Sequence, residues 1–396
     1  MKKNILLLFL VHGANYLFPF IVLPYQTRIL SIETFADVAK IQAAVMLLSL
    51  IVNYGYNLSS TRAIARAVSQ AEINKIYSET LIVKLLLATI CLALGYVYLM
   101  YVKEYSLIYP FIISSIYLYG SALFATWLFQ GLEKMKAIVI ATTIAKLTGV
   151  ILTFILVKSP NDIDAALFTQ NIGMFISGII SIYLVRKNKY ATVIYFRLKN
   201  IILSLKEAWP FFLSLAATSV YTYFNVILLS FYAGDYVVAN FNAADKLRMA
   251  AQGLLIPIGQ AVFPRLSKLE GYEYSSKLKI YAIRYAIFGV CISAGLVFLG
   301  PMLTTIYLGK EYSLSGEYLQ SMILLPAIIS ISTILSQWML IPQGKEKILS
   351  RIYILGAIFH LLYAFPLVYY YGAWGMVISI LFTEVLIVLF MLKAVK

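Results

Sequence analysis

Three charged residues, Asp245, Lys246 and Arg248, lie close together inside one long apolar stretch. At about 100° of turn per residue, Asp245 and Arg248 share one helix face with Asn242 and Gln252, and the two charges can pair at i,i+3 spacing. Lys246 points away and has no acidic partner in its own helix. The positive surplus predicts an anion-binding face, since the forked Arg guanidinium suits phosphate. A structural ion pair that locks this helix to a neighbour is the alternative.

Two further charges lie deep inside apolar stretches. Lys146 stands near the middle of its stretch and shares a helix face with Thr142 and Thr153. Glu384 stands alone in the last stretch. A charge at the centre of a membrane helix costs roughly 2.5–3.5 kcal/mol on insertion scales, so each predicts a partner, water or a functional role. Asp245 and Glu384 are therefore candidates for ion coupling, with a protonated or helix-bonded acid as the alternative for Glu384.

The elements that carry these charges are predicted to be membrane helices. Of the 396 residues, 62% are hydrophobic and only 12% are charged, which is too few to cover the surface of a soluble protein. The short alternating segments of a strand barrel are missing. A net charge of +15 could indicate nucleic-acid binding, but the basic residues stand at the ends of apolar runs, as is typical of membrane proteins. We therefore predict an all-α polytopic membrane protein and no nucleic-acid partner.

Twelve apolar runs are long enough to span a bilayer, which takes about 20 residues of helix. The first run begins like a signal peptide, but no cleavage site follows it cleanly, so we interpret it as an uncleaved helix. The runs fall at approximately 5–24, 36–57, 80–101, 107–129, 137–157, 164–185, 208–231, 238–262, 277–299, 316–341, 349–371 and 373–392.

The basic residues predict the orientation. With the N-terminus inside, 22 of the 32 Lys and Arg residues lie in cytoplasmic segments and only four lie in outer segments. This bias predicts that both termini are cytoplasmic. Lys40, Lys84 and Arg284 lie near the ends of runs, so their side chains are expected to reach the headgroups. The four outer residues are Arg28, Lys103, Lys158 and Lys310.

The chain also contains an internal repeat. The segment QGLEK at 130–134 recurs as QGKEK at 343–347, and the sequence from Lys84 resembles that from Arg284. Coincidence between apolar helices is the alternative, but the QGxEK pair is polar and falls at equivalent places. Since six helices is an even number, both halves keep one orientation. The predicted organisation is an N-terminal six-helix bundle at 1–190, a cytoplasmic basic linker at 191–207 and a C-terminal six-helix bundle at 208–396.

Two pseudosymmetric six-helix bundles predict a central cleft that opens by alternating access. Arg28 would stand at its outer mouth, and Arg62 and Arg66 at its inner mouth. A wet, cationic cleft suits a large anionic headgroup whose tail stays in lipid. The predicted substrate-binding residues are Lys146, Asp245, Lys246, Arg248, Arg28, Arg62 and Arg66.

Three segments together resemble the Wzx-type O-antigen and polysaccharide flippases. They are GYNLSSTRAIARAVSQ, WLFQGLEKMKAIVI and NFNAADKLRMAAQGLLIPIGQAVFPRLSKL. That family belongs to a superfamily with the MATE exporters and the lipid II flippases, and the resemblance covers essentially the whole chain. It implies an inner-membrane protein that moves undecaprenyl-pyrophosphate-linked oligosaccharide from the cytoplasmic to the periplasmic leaflet. Its motifs carry over only Asp245, Lys246 and Arg248 as site residues; Lys146 is inferred from its depth.

Two other functions remain open at this point. A MATE-like ion-coupled drug exporter would use buried carboxylates, whereas bases outnumber acids here. An O-antigen polymerase or ligase would need a long periplasmic loop, whereas every predicted outer loop is short. Without a nucleophile–base pair, metal cluster or phosphate-binding glycine loop, the chain is predicted not to be an enzyme and to need no cofactor. The implied partners are the lipid-linked oligosaccharide, membrane lipid, and the polymerase and chain-length regulator of the same pathway.

Overall fold

The computed structural model describes residues 20–193, 198–266, 269 and 271–395. Nearly all of these residues are helical, and no strand occurs among them. The helices are α1 (20–29), α2 (Ile32–Asn53), α3 (Tyr56–Arg66), α4 (Gln70–Tyr101), α5 (Ile108–Ser114), α6 (Ile116–Leu123), α7 (Thr126–Gly131), α8 (Met135–Leu156), α9 (Ile163–Lys187), α10 (Leu198–Tyr232), α11 (Asp235–Gly253), α12 (Leu255–Leu266), α13 (Gly271–Met302), α14 (Ser313–Ser321), α15 (Leu324–Thr333) and α16 (Glu346–Val395).

Several helices have the length and apolarity of membrane spans. Seven pass this test within the described residues, and an eighth counts if Lys310–Ser321 and Leu324–Leu340, which are bent by 44°, form one span. The seven are Ile32–Arg66, Gln70–Tyr101, Tyr105–Gly131, Met135–Leu156, Ile163–Lys187, Gly271–Phe298 and Glu346–Val395. The predicted all-α membrane fold is thus confirmed. Twelve spans stay a prediction. Most of the first run lies outside the described residues, the runs at 208–231 and 238–262 are not among the helices that pass, and Glu346–Val395 contains both of the last two runs.

Local interactions explain where several helices begin and break. The Ser69 hydroxyl accepts a hydrogen bond from the Glu72 backbone N–H, and the Glu72 carboxylate accepts one from Val68, so α4 begins with a capping arrangement. Before α9, the Asp162 carboxylate accepts bonds from the backbone N–H groups of Lys158 and Ser159, which hold the pKa of Asp162 below its usual value. Gly372, at φ 55°, breaks α16 where the two last runs were predicted to meet.

The described chain divides into two compact units, the first of which contains Asp37–Ser219. Its helices approach closely at small residues, as membrane helices commonly do. A Cβ on Gly120 of α6 would lie 2.4 Å from backbone atoms of Met174 and Phe175 in α9. On α8, a Cβ on Gly149 would lie 3.0 Å from the Thr169 carbonyl oxygen of α9. Glycine is therefore required for the α6–α9 contact.

The second unit contains residues 20–36 and Val220–Lys396. The Asn240 side chain of α11 accepts hydrogen bonds from the backbone N–H and the hydroxyl of Ser315 in α14, each at 2.9 Å. Both residues are fully buried. The chain also makes a π-helical turn at Ile334–Leu340, packed against Tyr285 and Leu255. These contacts hold α11 and α12, which carry the charged segment, against α13 and α14.

The predicted bundle boundaries stay a prediction. Residues 194–197 of the predicted linker lie outside the described residues, and its part from residue 198 onward forms the start of α10. The predicted repeat aligns α4 with α13, and each of these helices has 32 residues.

Candidate functional site

A chain of polar contacts runs along one face of α11. The Arg248 guanidinium donates through Nε to Asp245 Oδ1 at 2.8 Å, and its Nη2 lies 2.6 Å from the same oxygen. Through Nη1 it donates to Gln252 Oε1 at 2.6 Å. The predicted i,i+3 pair is therefore present, with Arg248 only 7% exposed. Because a guanidinium has five N–H donors, two of them remain for a ligand.

The same face carries an unused polar group. The Asn242 side chain is 7% exposed, and its amide nitrogen has no hydrogen-bond partner within the described residues. A buried donor without a partner costs roughly 1–3 kcal/mol, so such groups are kept where a ligand or water satisfies them. Asn242 lies one turn before Asp245. The face thus offers one amide and two guanidinium N–H donors to an acceptor.

Lys246 points away from the ion pair, as predicted, and has an aromatic partner. Its Nζ lies 5.3 Å from the centre of the Phe35 ring, a distance at which the ring attracts a cation. Phe35 packs edge-on against Tyr312, with ring centres 5.6 Å apart. Among the described residues, the ammonium group makes no hydrogen bond or ion pair. Lys246 therefore keeps all three N–H donors for an anion.

Glu384 faces the same cluster from α16. Its carboxylate is close enough to Arg248 to interact with it electrostatically. It also interacts electrostatically with the hydroxyls of Tyr353 and Tyr363. In the part of the chain that the structure describes, Glu384 forms no hydrogen bond or salt bridge. When Glu384 is ionised, the two acids balance Arg248 and Lys246; when it is protonated, the cluster keeps one positive charge.

His360 lies in the same unit and makes ordered contacts. Its ring nitrogens lie 2.7 Å from the Thr383 hydroxyl and 2.9 Å from Asn225 Oδ1, and the ring is fully buried. His360 was not among the predicted site residues. A histidine with polar neighbours at both nitrogens fits a packing role.

The remaining predicted cations lie elsewhere in the fold. Arg28 is exposed and donates to the Ile306 carbonyl in the second unit. Lys146 of α8, and Arg62 and Arg66 of α3, belong to the first unit. Lys146 is half-buried, while Arg62 and Arg66 are exposed. Within the described residues these three side chains form no hydrogen bond or ion pair, so they are free to meet a ligand.

The prediction that Lys84 reaches the headgroups is wrong. Lys84 is fully buried and donates to the Ser121 carbonyl at 2.7 Å. That carbonyl lies in the last turn of α6, where the helix leaves acceptors unpaired, so a buried ammonium finds a partner there. Lys40 pairs with Asp37 at 2.9 Å, and that its side chain reaches the headgroups stays a prediction.

A small cavity of about 60 Å³, which the sequence did not predict, lies at the end of the charged face. Gln252 and Gly259 contribute to it from α11 and α12, Tyr285 from α13, and Thr333 and Gln337 from α15 and the π-helical turn. Gln252 was already part of the predicted polar face, and Gln337 was a second signal, as a polar residue inside an apolar run. Nothing distinguished Tyr285 from the other 30 tyrosines.

The free N–H groups of Arg248, Lys246 and Asn242 are all hydrogen-bond donors. Within the described residues, no three His, Cys, Asp or Glu side chains gather closely enough to hold a metal ion. A sequence profile of the family described as "Polysaccharide biosynthesis protein" matches residues 1–270. The chain belongs to this polysaccharide biosynthesis family. The charged segment of α11 lies within the matched residues.

Two curated proteins are similar to this chain along its whole length. A "Putative O-antigen transporter" of Shigella dysenteriae is 98% identical over 396 residues, which is 100% of both chains. A protein of Escherichia coli (strain K12) with the same name is 32% identical over 404 aligned residues, covering 100% of this chain and 97% of the relative.

Solved structures share the fold. "Lipid II flippase MurJ, inward closed conformation" matches with a TM-score of 0.82 at 16% identity, covering 100% of this chain and 88% of the other. An inward-facing multidrug resistance MATE family transporter matches with a TM-score of 0.70 at 13% identity, covering 97% and 94%. At these identities the likeness concerns the fold alone.

Proposed function

We propose that this protein is a flippase that moves undecaprenyl-pyrophosphate-linked O-antigen units from the cytoplasmic to the periplasmic leaflet by alternating access. It would act in the inner membrane, with both termini cytoplasmic, and perform no enzymatic reaction. The polymerase and the chain-length regulator of the same pathway would then receive its product. The names of the two curated relatives support this proposal, and the fold shared with a lipid II flippase is consistent with it.

The observation that carries the proposal is the surplus of cationic hydrogen-bond donors on α11. Arg248 keeps two N–H donors, and Lys246 has three beside an aromatic ring. A diphosphate offers several acceptor oxygens and negative charge, which these groups match. Asn242 adds a neutral donor. We assign these residues to the diphosphate. Lys146, Arg28, Arg62 and Arg66 are proposed to contact the head along its path.

Ion coupling is assigned to Glu384 rather than to Asp245. The Asp245 carboxylate is engaged by two nitrogens of Arg248, so protonating it would break a formed pair. Glu384 has no such pair within the described residues, and its ionisation would cancel the positive surplus that holds the diphosphate. A proton or a sodium ion that neutralises Glu384 would therefore favour substrate binding.

Neutral replacement of the ion pair tests the proposal. Asp245→Asn combined with Arg248→Gln removes both charges together, so neither is left buried without its partner, and the two carboxamides can hydrogen-bond to each other at i,i+3 spacing. We expect normal protein levels and a loss of surface O-antigen of at least about tenfold, a change of roughly 1.4 kcal/mol in an equilibrium. The measurement is O-antigen display in a deletion strain that carries each variant.

Lys146→Glu is tested in the same strain and should also lose display. Lys277→Glu is the matched control, since Lys277 is exposed at the start of α13, outside the proposed site. Normal display by both the double variant and Lys146→Glu, at normal protein level, would contradict the proposal. Loss of the double variant from the membrane would instead favour a structural ion pair.

An ion-coupled drug exporter is the second candidate function, since MATE transporters share the fold. It requires a site for cations, whereas Lys246 and Arg248 would repel them. The same deletion strain distinguishes the two: a drug exporter predicts greater susceptibility to cationic drugs, with O-antigen display intact.

A further inference from the structure

The cavity beside the ion pair is polar but carries no charge of its own. Its polar lining consists of the carboxamides of Gln252 and Gln337 and the hydroxyls of Tyr285 and Thr333. Leu255, Ile256 and Ile329 supply apolar walls. Such a mixture of neutral hydrogen-bonding groups and apolar surface matches a sugar ring, which has hydroxyl edges and C–H faces.

Several of the hydrogen-bonding groups in this cavity are available. The Gln252 carbonyl accepts from Arg248, but its NH₂ group donates to no described residue. The Gln337 carboxamide makes no hydrogen bond within the described residues, and the side chain is exposed. By contrast, the Tyr285 hydroxyl already donates to the Leu255 carbonyl at 3.0 Å. The two glutamines can therefore present both donors and acceptors to a ligand.

Two backbone features create the space. Gln337 lies in the π-helical turn Ile334–Leu340, a distortion that often marks functional positions. Opposite it stands Gly259, where an added Cβ would lie 3.2 Å from the Tyr285 hydroxyl and 3.7 Å from Gln337 Oε1. Any larger residue at Gly259 would intrude on the cavity. The Gly259 carbonyl is occupied, since Trp338 donates to it at 3.3 Å.

From this geometry we infer a carbohydrate subsite that takes the polar edge of the sugar nearest the diphosphate. The inference rests on the proposed function, in which Arg248 contacts the diphosphate. Gln252 lies one helical turn from Arg248 and is bonded to it, so the sugar attached to the phosphate reaches the cavity first. About 60 Å³ admits a hydroxyl pair or an acetamido group, but not a whole oligosaccharide.

Other ligands fit the cavity less well. A second phosphate would lack a cation within the lining, and an isolated anion is costly to bury without one. A lipid chain would leave the two carboxamides without partners, which is unfavourable. The neutral polar lining thus favours sugar over both the charged and the apolar parts of the substrate.

Binding of two lipids to the purified full-length protein tests the subsite. One is undecaprenyl diphosphate, and the other is the same lipid carrying a single N-acetylhexosamine. Gln337→Leu keeps a similar side-chain size and removes the hydrogen bonds of the carboxamide. We expect it to weaken binding of the sugar-bearing lipid roughly tenfold, because the hydrogen bonds to the sugar are lost. Binding of the sugarless lipid should stay unchanged. Gly259→Ala should act in the same direction.

The controls are Gln320→Leu, at an exposed glutamine outside the cavity lining, and Gly295→Ala, where an added Cβ meets nothing within 4 Å. Equal weakening for both lipids, or none for either, would overturn the subsite while the diphosphate site stands. Failure of the wild-type protein to bind either lipid would overturn the proposed function, and the subsite with it.

Discussion

At the scale of single residues, protonation of Glu384 changes the net charge of the group formed by Asp245, Lys246, Arg248 and Glu384. Arg248 and Lys246 face Asp245 and Glu384, so the cluster is neutral or carries one positive charge according to the state of Glu384. The groups that act on Glu384 are Arg248 and the hydroxyls of Tyr353 and Tyr363. Replacing Glu384 by a neutral residue should therefore uncouple substrate binding from the ion.

Glu384→Gln mimics the neutral acid permanently. For the wild-type protein, binding of undecaprenyl diphosphate should weaken as pH rises, because the ionised Glu384 cancels the positive surplus. For the Gln variant, binding should stay at the acidic wild-type value between acidic and neutral pH. Titrations of lipid binding at several pH values, with sodium held constant, measure this difference.

A second series with sodium varied at constant pH identifies the ion. If wild-type binding responds to sodium and not to pH, sodium is the coupling ion. If the Gln variant responds to either ion as strongly as the wild type, Glu384 is not the coupling group.

At the scale of elements, close helix contacts at glycine determine the packing of the first unit. A Cβ on Gly120 would overlap the backbone of α9 at 2.4 Å, and backbone atoms cannot move aside as a flexible side chain can. The same substitution at Gly295 meets nothing within 4 Å. Both glycines lie inside helices, so replacement by alanine changes helix propensity equally at the two positions. The difference between the two variants therefore measures the cost of the close contact alone.

Gly120→Ala should destabilise the protein by at least about 1–3 kcal/mol, the usual range for overpacking, whereas Gly295→Ala should be neutral or slightly stabilising. Thermal unfolding of the detergent-solubilised variants, followed by tryptophan fluorescence, provides the comparison. Equal transition temperatures would mean that α6 and α9 can move apart without loss of stability, which would contradict their close contact at Gly120.

At the scale of the whole molecule, the distribution of basic residues predicts the topology. A cytoplasmic C-terminus predicts that a green fluorescent protein fused after Lys396 fluoresces and that alkaline phosphatase fused there is inactive. Alkaline phosphatase fused after Lys158, in a predicted outer segment, should be active. Reporter activities in intact cells measure both. The opposite pattern at the two positions would invert the predicted orientation.

The predicted repeat illustrates how far sequence patterns extend at this scale. It pairs Lys84 with Arg284 and Cys91 with Cys291, and the corresponding helices α4 and α13 have equal length. Their environments nevertheless differ, because Lys84 and Cys91 are buried while Arg284 and Cys291 are exposed. Similar helices thus met different neighbours in the two halves.

The sequence by itself determined that the chain lies in a membrane, that it is helical, and that Asp245 and Arg248 pair at i,i+3 spacing. These follow from composition and from the helical period, which act within a few residues along the chain. The tertiary structure alone decided that Lys84 is buried against Ser121, that Glu384 faces Arg248, and that Gln337 and Gly259 share a cavity. Each of these contacts joins residues far apart in sequence, and the packing of different helices determines which distant side chains meet.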